Sequence, residues 1–172
     1  AGRALEIARS LDDLNRERRA IEGGMREQAE RMLAGVSVGD SYSLSLFNPE
    51  WHQGVVGILA GRVKDRWHRP TLAFARAEET DAGAARELKG SGRSIRGLHL
   101  RDALDLVAKR EPGVLIRFGG HAAAAGVTIL ESELERFTAA FEQAVRDLLP
   151  PEELTHSIET DGSLESGYLS LD

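Results

Sequence analysis

Segments with the period of a strand and segments with the period of a helix alternate over residues 41–149, and this alternation most constrains the fold. Residues 41–47 alternate polar and apolar side chains, as a half-buried strand does. A helical apolar face then runs from Val55 to Trp67. Such alternation is typical of a sheet with helices on its faces, so it predicts an α/β fold with a mixed sheet. Further strands are predicted at 70–76, 87–95, 114–118 and 125–130, and further helices at 99–110 and 131–149.

A long connector helix is predicted over residues 3–34, within an interdomain segment of residues 1–35. Its length of roughly 45 Å exceeds what a domain of this size needs, so we expect it to join two parts of a longer protein. Gly23 and Gly24 each disfavour a helix by about 1 kcal/mol relative to alanine, and a kink or break is expected there. The predicted apolar stripe of this helix includes Ile7, Leu11, Leu14, Ile21, Met25 and Met32.

The end of the sequence predicts the start of a second, β-rich module. Alternation returns over residues 155–160, and Asp161-Gly162 is a strong tight-turn pair. A lone hairpin is marginally stable in water, so we expect residues 151–172 to open a longer β domain. Residues 36–150 then form the α/β domain, and both chain ends are interpreted as cuts in a longer protein.

Composition excludes several classes of function. The chain has no cysteine, which excludes zinc fingers, iron–sulfur sites and thiol catalysis. No apolar run reaches the roughly 18 residues of a membrane span, so a cytoplasmic protein without membrane contact is expected. The net charge of −6 argues against a general polyanion binder. Residues 62–110 nevertheless carry 12 basic and 7 acidic side chains, so a local positive face can still hold phosphate.

The first candidate site is the segment GSGRS at residues 90–94. Its two glycines allow a ligand to approach the backbone amides closely. Two hydroxyl groups and a guanidinium lie within the same five residues, and arginine matches phosphate oxygens two at a time. The alternative is a tight turn with an exposed arginine. The predicted phosphate ligands are Ser91, Gly92, Arg93 and Ser94.

The second candidate site is a glycine–histidine motif. Gly119 and Gly120 precede His121, and only small residues follow as far as Gly126. This composition clears space around one imidazole, so we predict that His121 reaches a ligand phosphate or a neighbouring cleft.

The third candidate site is the start of the second helix, where unpaired amides and a partial positive charge favour an anion. His52 and Arg62 are the candidate ligands there, whereas Trp51 is expected to be a core residue.

A catalytic metal centre is not predicted for this chain. No closely spaced Asp and His residues are present that could hold two metal ions, and His121 lacks a metal-ligand spacing with His68 or His99. The residues therefore predict a phosphate-binding domain without its own catalytic centre. In this interpretation Arg93 and His121 converge on one outward-facing pocket of anion size.

Three segments closely resemble the RecJ family of single-strand-specific 5′→3′ DNA exonucleases. The glycine–histidine motif belongs to the wider group of DHH-associated domains, whereas the GSGRS segment with LHLRDALD points more narrowly to RecJ. By this resemblance, residues 1–35 are an interdomain connector, residues 36–150 a DHH-associated substrate-binding domain, and residues 151–172 the start of an OB-fold domain. The segments are WHQGVVGILAGR (51–62), GSGRSIRGLHLRDALD (90–105) and FGGHAAAAG (118–126).

The resemblance implies that the chain is the substrate-gripping part of a metal-dependent 5′→3′ single-stranded-DNA exonuclease of DNA repair and recombination. The Mn²⁺ or Mg²⁺ ions and their ligands belong to a DHH domain outside this chain, so we expect the chain alone to be inactive. Ser91 and Arg93 would hold a terminal phosphate, Arg62 would contact the DNA backbone, and His121 would lie near the metal centre. The implied partners are single-stranded DNA, the DHH and OB-fold domains of the same protein, and single-strand-binding protein.

Two other interpretations remain open from the sequence. The chain could be a non-catalytic nucleic-acid or nucleotide-binding module of another DHH-superfamily protein, for which folded RNA would be the preferred ligand. It could also be a structural interaction domain that docks a partner through residues 131–172, where 11 acidic side chains outnumber 2 basic ones.

Overall fold

A five-stranded mixed sheet with helices on both faces forms the fold, which confirms the predicted α/β class. The computed structural model describes residues 2–34, 38–78, 85–155 and 162. Short 3₁₀ helices occur at Val38–Asp40, Glu131–Glu133 and Pro151–Leu154. In chain order the elements are α1 (Gly2–Leu33), β1 (Leu44–Phe47), α2 (Val56–Trp67), β2 (Thr71–Arg76), β3 (Glu87–Arg93), α3 (Leu100–Arg110), β4 (Arg117–Gly120), β5 (Ala124–Leu130) and α4 (Leu134–Leu148).

The strand order is β1-β2-β3-β5-β4, with β3 in the centre. β1 and β2 are parallel and joined through α2, as a parallel pair requires a crossover connection. β3 is antiparallel to both β2 and β5, and β5 pairs with β4 as a hairpin. Because residues directly opposite each other on paired strands point to the same face, this register decides which side chains share a surface.

Helices cover the two faces unequally. α3 and α4 pack on one face, where the ring of Phe137 meets the rings of Phe74 and Phe141 at centroid distances of 5.4 and 5.8 Å. On the other face, α2 and the end of α1 pack over β1, β2 and part of β3. Arg117 of β4 and Gly126 of β5, which the register assigns to this second face, remain exposed.

Helix α1 runs without interruption through Gly23 and Gly24, so the predicted break is wrong. Each glycine costs only about 1 kcal/mol, and the following turns are held by packing on α2. Those turns bury Met25, Ala29 and Leu33, which recur at steps of four residues.

The predicted apolar stripe of α1 is only partly correct. Met32 is 43% exposed because it lies beside the buried row rather than in it. The side chains of Leu5, Ile7, Leu11 and Leu14 in the first half of the helix are each more than half exposed. The described residues therefore cover one end of α1 and leave the other end uncovered.

Two segments differ from the sequence-based expectation near the second candidate site. The strand predicted at 114–118 begins instead at Arg117, because Val114 is fully buried in the core just after the turn at Gly113. Gly119 and Gly120 consequently belong to strand β4 and not to a turn. The hairpin predicted after residue 155 lies outside the described residues except for Gly162, and none of the described helices is long and apolar enough to cross a membrane.

Candidate phosphate-binding site

Residues 90–93 of the GSGRS segment form the end of the central strand β3, so the alternative of a tight turn is wrong. The backbone of residues 90–93 pairs with β2 on one side and β5 on the other, which commits its polar groups to the sheet. A Cβ atom at Gly90 would lie 2.4 Å from Cε1 of Phe74, and one at Gly92 would lie 2.8 Å from Cδ2 of Leu100. These glycines therefore let the core pack closely, and buried Gly92 presents no amide cradle to a ligand.

Strand alternation sends Ser91 and Arg93 to the opposite face, beside α2. The Arg93 guanidinium donates from Nη1 to Ser91 Oγ at 3.0 Å and to the Gly92 carbonyl at 2.8 Å. A glycine in α2 makes this arrangement possible, since a Cβ at Gly57 would lie 2.9 Å from Ser91 Oγ and 3.0 Å from Arg93 Nη2. Within the described parts of the chain no carboxylate pairs with Arg93, so those parts leave its charge uncompensated.

Ser94 forms hydrogen bonds to backbone carbonyls, whereas Ser91 accepts one from Arg93. Its hydroxyl donates to the carbonyl of Leu98 at 2.9 Å, and its amide donates to the carbonyl of Ala123 at 2.9 Å. The amide of Leu100 donates to the carbonyl of Ala122, also at 2.9 Å. Ser94 thus helps to fasten the β4–β5 turn to the start of α3, and that turn carries His121.

The sheet register aligns Arg93 with His121. The amide of His121 donates to the carbonyl of Ala124 at 2.8 Å, which extends the β4–β5 pairing by one residue, and Ala124 lies opposite Arg93 on β3. Arg93, Ala124 and His121 therefore form one row on one face. Two strand spacings separate the Cα atoms of Arg93 and His121, about 10 Å. The arginine and the exposed imidazole thus lie on either side of a small alanine, Ala124.

The next row of the same face is formed by Ser91, Gly126 and Gly119. No atom lies within 4 Å of the position that a Cβ would take at Gly119 or Gly126, so the floor beside the first row is open. Gly120 is required for a different reason. Its φ is +149°, and a Cβ there would lie 2.4 Å from the carbonyl oxygen of Ala124, so only glycine allows the turn that presents His121.

His52 and Arg62 make their hydrogen bonds and ion pairs outside these rows. The Nδ1 atom of exposed His52 accepts a hydrogen bond from the amide of Gly54 at 3.1 Å, within the loop before α2. Arg62 Nε lies 3.4 Å from Glu22 Oε1 and so faces the connector helix α1. Trp51 is 4% exposed, which confirms it as a core residue.

The site's electrostatics come from uncompensated basic side chains. Among the described residues, no group of three or more His, Asp or Glu side chains is arranged to hold a metal ion. The shifted pKa values lie elsewhere: hydrogen bonding to Arg76 lowers the pKa of Glu131, and hydrogen bonding to Arg110 lowers that of Asp147. Gly57 was missed as a site residue, because its role depends on the approach of Ser91 and Arg93, which no local pattern reveals.

Comparison with known proteins decides the family. Residues 39–147 match the DHHA1 domain. The chain belongs to the DHHA1 domain family. It is 42% identical, over 99% of its length, to the single-stranded-DNA-specific exonuclease RecJ of Haemophilus influenzae, and equally to that of Escherichia coli. The chain spans 29% of each of these relatives, so it corresponds to under a third of their length.

Solved structures of RecJ share the fold of this DHHA1 domain. The RecJ structure from Thermus thermophilus with Mn²⁺ is 29% identical and superimposes with a TM-score of 0.63, covering 80% of this chain and 18% of that one. A structure of exonuclease RecJ bound to manganese is 28% identical with a TM-score of 0.65, covering 83% of this chain and 32% of that one. The α/β fold expected for the DHH-associated domain is thereby confirmed.

Proposed function

We propose that this DHHA1 domain grips the phosphates of single-stranded DNA for a 5′→3′ exonuclease. The observation that carries the proposal is the row of Arg93, Ala124 and His121, which runs from the edge of α2 to the exposed His121. An arginine without a carboxylate partner attracts an anion, and its planar guanidinium suits two phosphate oxygens at once. The relatives' names specify single-stranded DNA as the substrate class of those proteins.

Each residue of the row has a separate role in this proposal. Arg93 binds the terminal phosphate, and the Ser91 hydroxyl, already accepting from Arg93, is placed to donate its own hydrogen to the same group. His121 approaches the strand from the other side and steadies the phosphate that is cleaved. Arg62, at the edge of α2 near the connector, contacts the DNA backbone further along.

The catalytic centre lies outside this chain in the proposed enzyme. The RecJ structures similar to this chain contain Mg²⁺ or Mn²⁺, whereas the described residues here offer no cluster to hold such an ion. We assign the metal ligands to a DHH domain and residues 151–172 to the start of an OB-fold domain. Single-strand-binding protein is a further proposed partner, and the proposed setting is DNA repair and recombination in the cytoplasm.

Ligand class and cleavage test the proposal together. Fluorescence anisotropy would compare a labelled 5′-phosphorylated single-stranded DNA with an RNA hairpin of equal length, and a parallel gel assay would follow DNA cleavage with Mn²⁺ added. We expect tighter binding of the DNA and no cleavage by this chain. Preference for the RNA hairpin would favour a non-catalytic nucleic-acid-binding module of another DHH-superfamily protein, and robust Mn²⁺-dependent cleavage would show that the catalytic centre is present after all.

A further inference from the structure

A third row of side chains continues the same sheet face beyond the proposed terminal-phosphate site. Lys89 on β3 lies opposite Thr128 on β5, and Thr128 lies opposite Arg117 on β4. The row therefore presents two basic side chains on either side of a threonine, just as the first row presents Arg93 and His121 on either side of Ala124.

The charges of this row are only partly compensated. Lys89 Nζ lies 2.9 Å from Glu87 Oε2 and donates to Thr128 Oγ1 at 3.2 Å, so one carboxylate is already engaged. Arg117 is exposed, and within the described ranges it has no ion-pair partner. The row thus carries one net positive charge, that of Arg117, beside the Lys89 ammonium that Glu87 and Thr128 hold in place, on a sheet face that also carries Arg93.

Only small residues lie between the two basic rows. Between them lies the row of Ser91, Gly126 and Gly119, whose two glycines leave the floor open. A depression of about 350 Å³ at this place is lined by Lys89, Gly90, Arg117, Phe118, Gly119, Gly126, Val127 and Thr128. A flexible polyanion can therefore lie along the strands without meeting a side chain larger than serine between the two rows.

The spacing assigns the two rows to different phosphates. Arg117 and His121 are four residues apart along β4, which corresponds to about 13 Å. One phosphate group cannot bridge that distance, but neighbouring phosphates of one unpaired strand can. We infer that Lys89 and Arg117 form a second phosphate subsite, in which buried Thr128 positions the Lys89 ammonium and which holds an internal phosphate of the strand whose end lies at Arg93. This inference rests on the proposed function and adds residues to it.

Oligonucleotide length and salt provide the test. The affinities of a 5′-phosphorylated dithymidylate, whose one internal linkage is an uncharged methylphosphonate, and of a 5′-phosphorylated dodecathymidylate with ordinary phosphodiester linkages would be measured by NMR titration and by anisotropy, over a range of salt concentrations. Arg117→Ala should weaken binding of the twelve-nucleotide strand about tenfold, since a hydrogen bond to a charged group is lost. It should also reduce the slope of log affinity against log salt by about 0.7, the value for one phosphate of a single strand. Binding of the dinucleotide should be unchanged.

Two matched variants complete the experiment. Lys109→Ala removes the same charge at the exposed end of α3, which packs on the opposite face of the sheet, and it should change neither slope nor length dependence. Arg117→Lys keeps the charge and should retain most of the slope. The thermal midpoint of each variant confirms that the fold is intact.

Each outcome separates this inference from the proposed function. If Arg117→Ala behaves like Lys109→Ala on the long strand, or weakens both oligonucleotides equally, the second subsite is refuted. In either case the original chain would still bind the 5′-phosphorylated strand more tightly than its 5′-hydroxyl form if the proposed function holds. Loss of that preference in the original chain would instead overturn the proposed function.

Discussion

Replacing Gly90 by alanine tests whether the glycines of the GSGRS segment serve the core and not the ligand. The added Cβ would lie 2.4 Å from Cε1 of Phe74, whereas carbon atoms in good contact are about 3.5–4.0 Å apart. The ring of Phe74 is fully buried and meets Phe137 edge to face at 5.4 Å. It therefore has to move by more than about 1 Å against a second buried ring, and that ring is stacked on a third.

The magnitude follows from two opposing effects. Alanine is favoured over glycine in a strand by about 0.5–1 kcal/mol, whereas overpacking a dense core costs about 1–3 kcal/mol. Because the Phe74 ring is enclosed, we expect a net loss of about 2 kcal/mol in the free energy of unfolding. For a chain of this size, this corresponds to a fall of about 4–8 °C in Tm.

Urea and thermal unfolding of four variants would measure this effect. Gly126→Ala is the matched control, because no atom lies within 4 Å of its added Cβ, and it should leave stability unchanged or raise it slightly. In the Phe74→Leu background the smaller side chain leaves room, so Gly90→Ala should lose most of its effect. Equal stability of the Gly90→Ala and Gly126→Ala variants, or an unchanged effect in the Phe74→Leu background, would refute the reasoning.

Two further predictions concern the site's support and acid stability. Gly57→Ala should leave Tm unchanged or raised, because alanine favours the helix, but it should weaken phosphate binding by displacing Arg93. Gly61→Ala is the control, since no atom lies within 4 Å of its added Cβ, and it should affect binding little. Equal binding by both variants would contradict the role of Gly57. Arg76, and more weakly Arg86, lower the folded-state pKa of Glu131, so its stabilising contribution is present above about pH 4.3 and is lost as the pH falls through the folded pKa. Urea titrations from pH 6 to pH 3 should show a shallower acid-dependent loss for Glu131→Gln than for the original chain, and identical slopes would refute this link.

Periodicity alone was enough to predict the layers of the fold. The strand at Thr71–Arg76 and the helices at Val56–Trp67 and Leu100–Arg110 follow directly from their apolar patterns. Burial of Trp51 was also predictable, since its ring is large and precedes an apolar helix face, although its hydrogen bond from Nε1 to Gln28 Oε1 at 2.7 Å was not.

The candidate residues and the convergence of Arg93 and His121 were predictions from the sequence, but the register that aligns these two residues could not be predicted. Glycines in GSGRS suggested a turn because their strand role depends on Phe74 and Leu100, whose positions only the tertiary structure reveals. The alignment of Arg93 with His121 depends on the order β3-β5-β4, and strand order is not contained in local sequence patterns. The same register explains why Lys89 and Arg117 were not predicted as site residues. They are 28 residues apart in the chain and lie in one row only because both pair with Thr128 of β5.

The break expected at Gly23 and Gly24 shows a tertiary effect of another kind. Local propensity was correctly judged unfavourable there, but the helix packs Met25, Ala29 and Leu33 into the core beyond the glycines. Burial of those three side chains outweighs a penalty of about 1 kcal/mol for each glycine.

A binding cycle that varies both the terminal phosphate and Arg93 measures directly whether the two groups interact. Affinities of otherwise identical 5′-phosphorylated and 5′-hydroxyl single strands would be measured for the original chain, for Arg93→Ala and for Lys109→Ala. We expect the phosphorylated strand to bind the original chain and Lys109→Ala about tenfold more tightly than the hydroxyl strand, and Arg93→Ala to bind both strands equally. An Arg93→Ala variant that keeps the full preference for the phosphorylated strand would contradict the assignment of this sheet face as the phosphate grip.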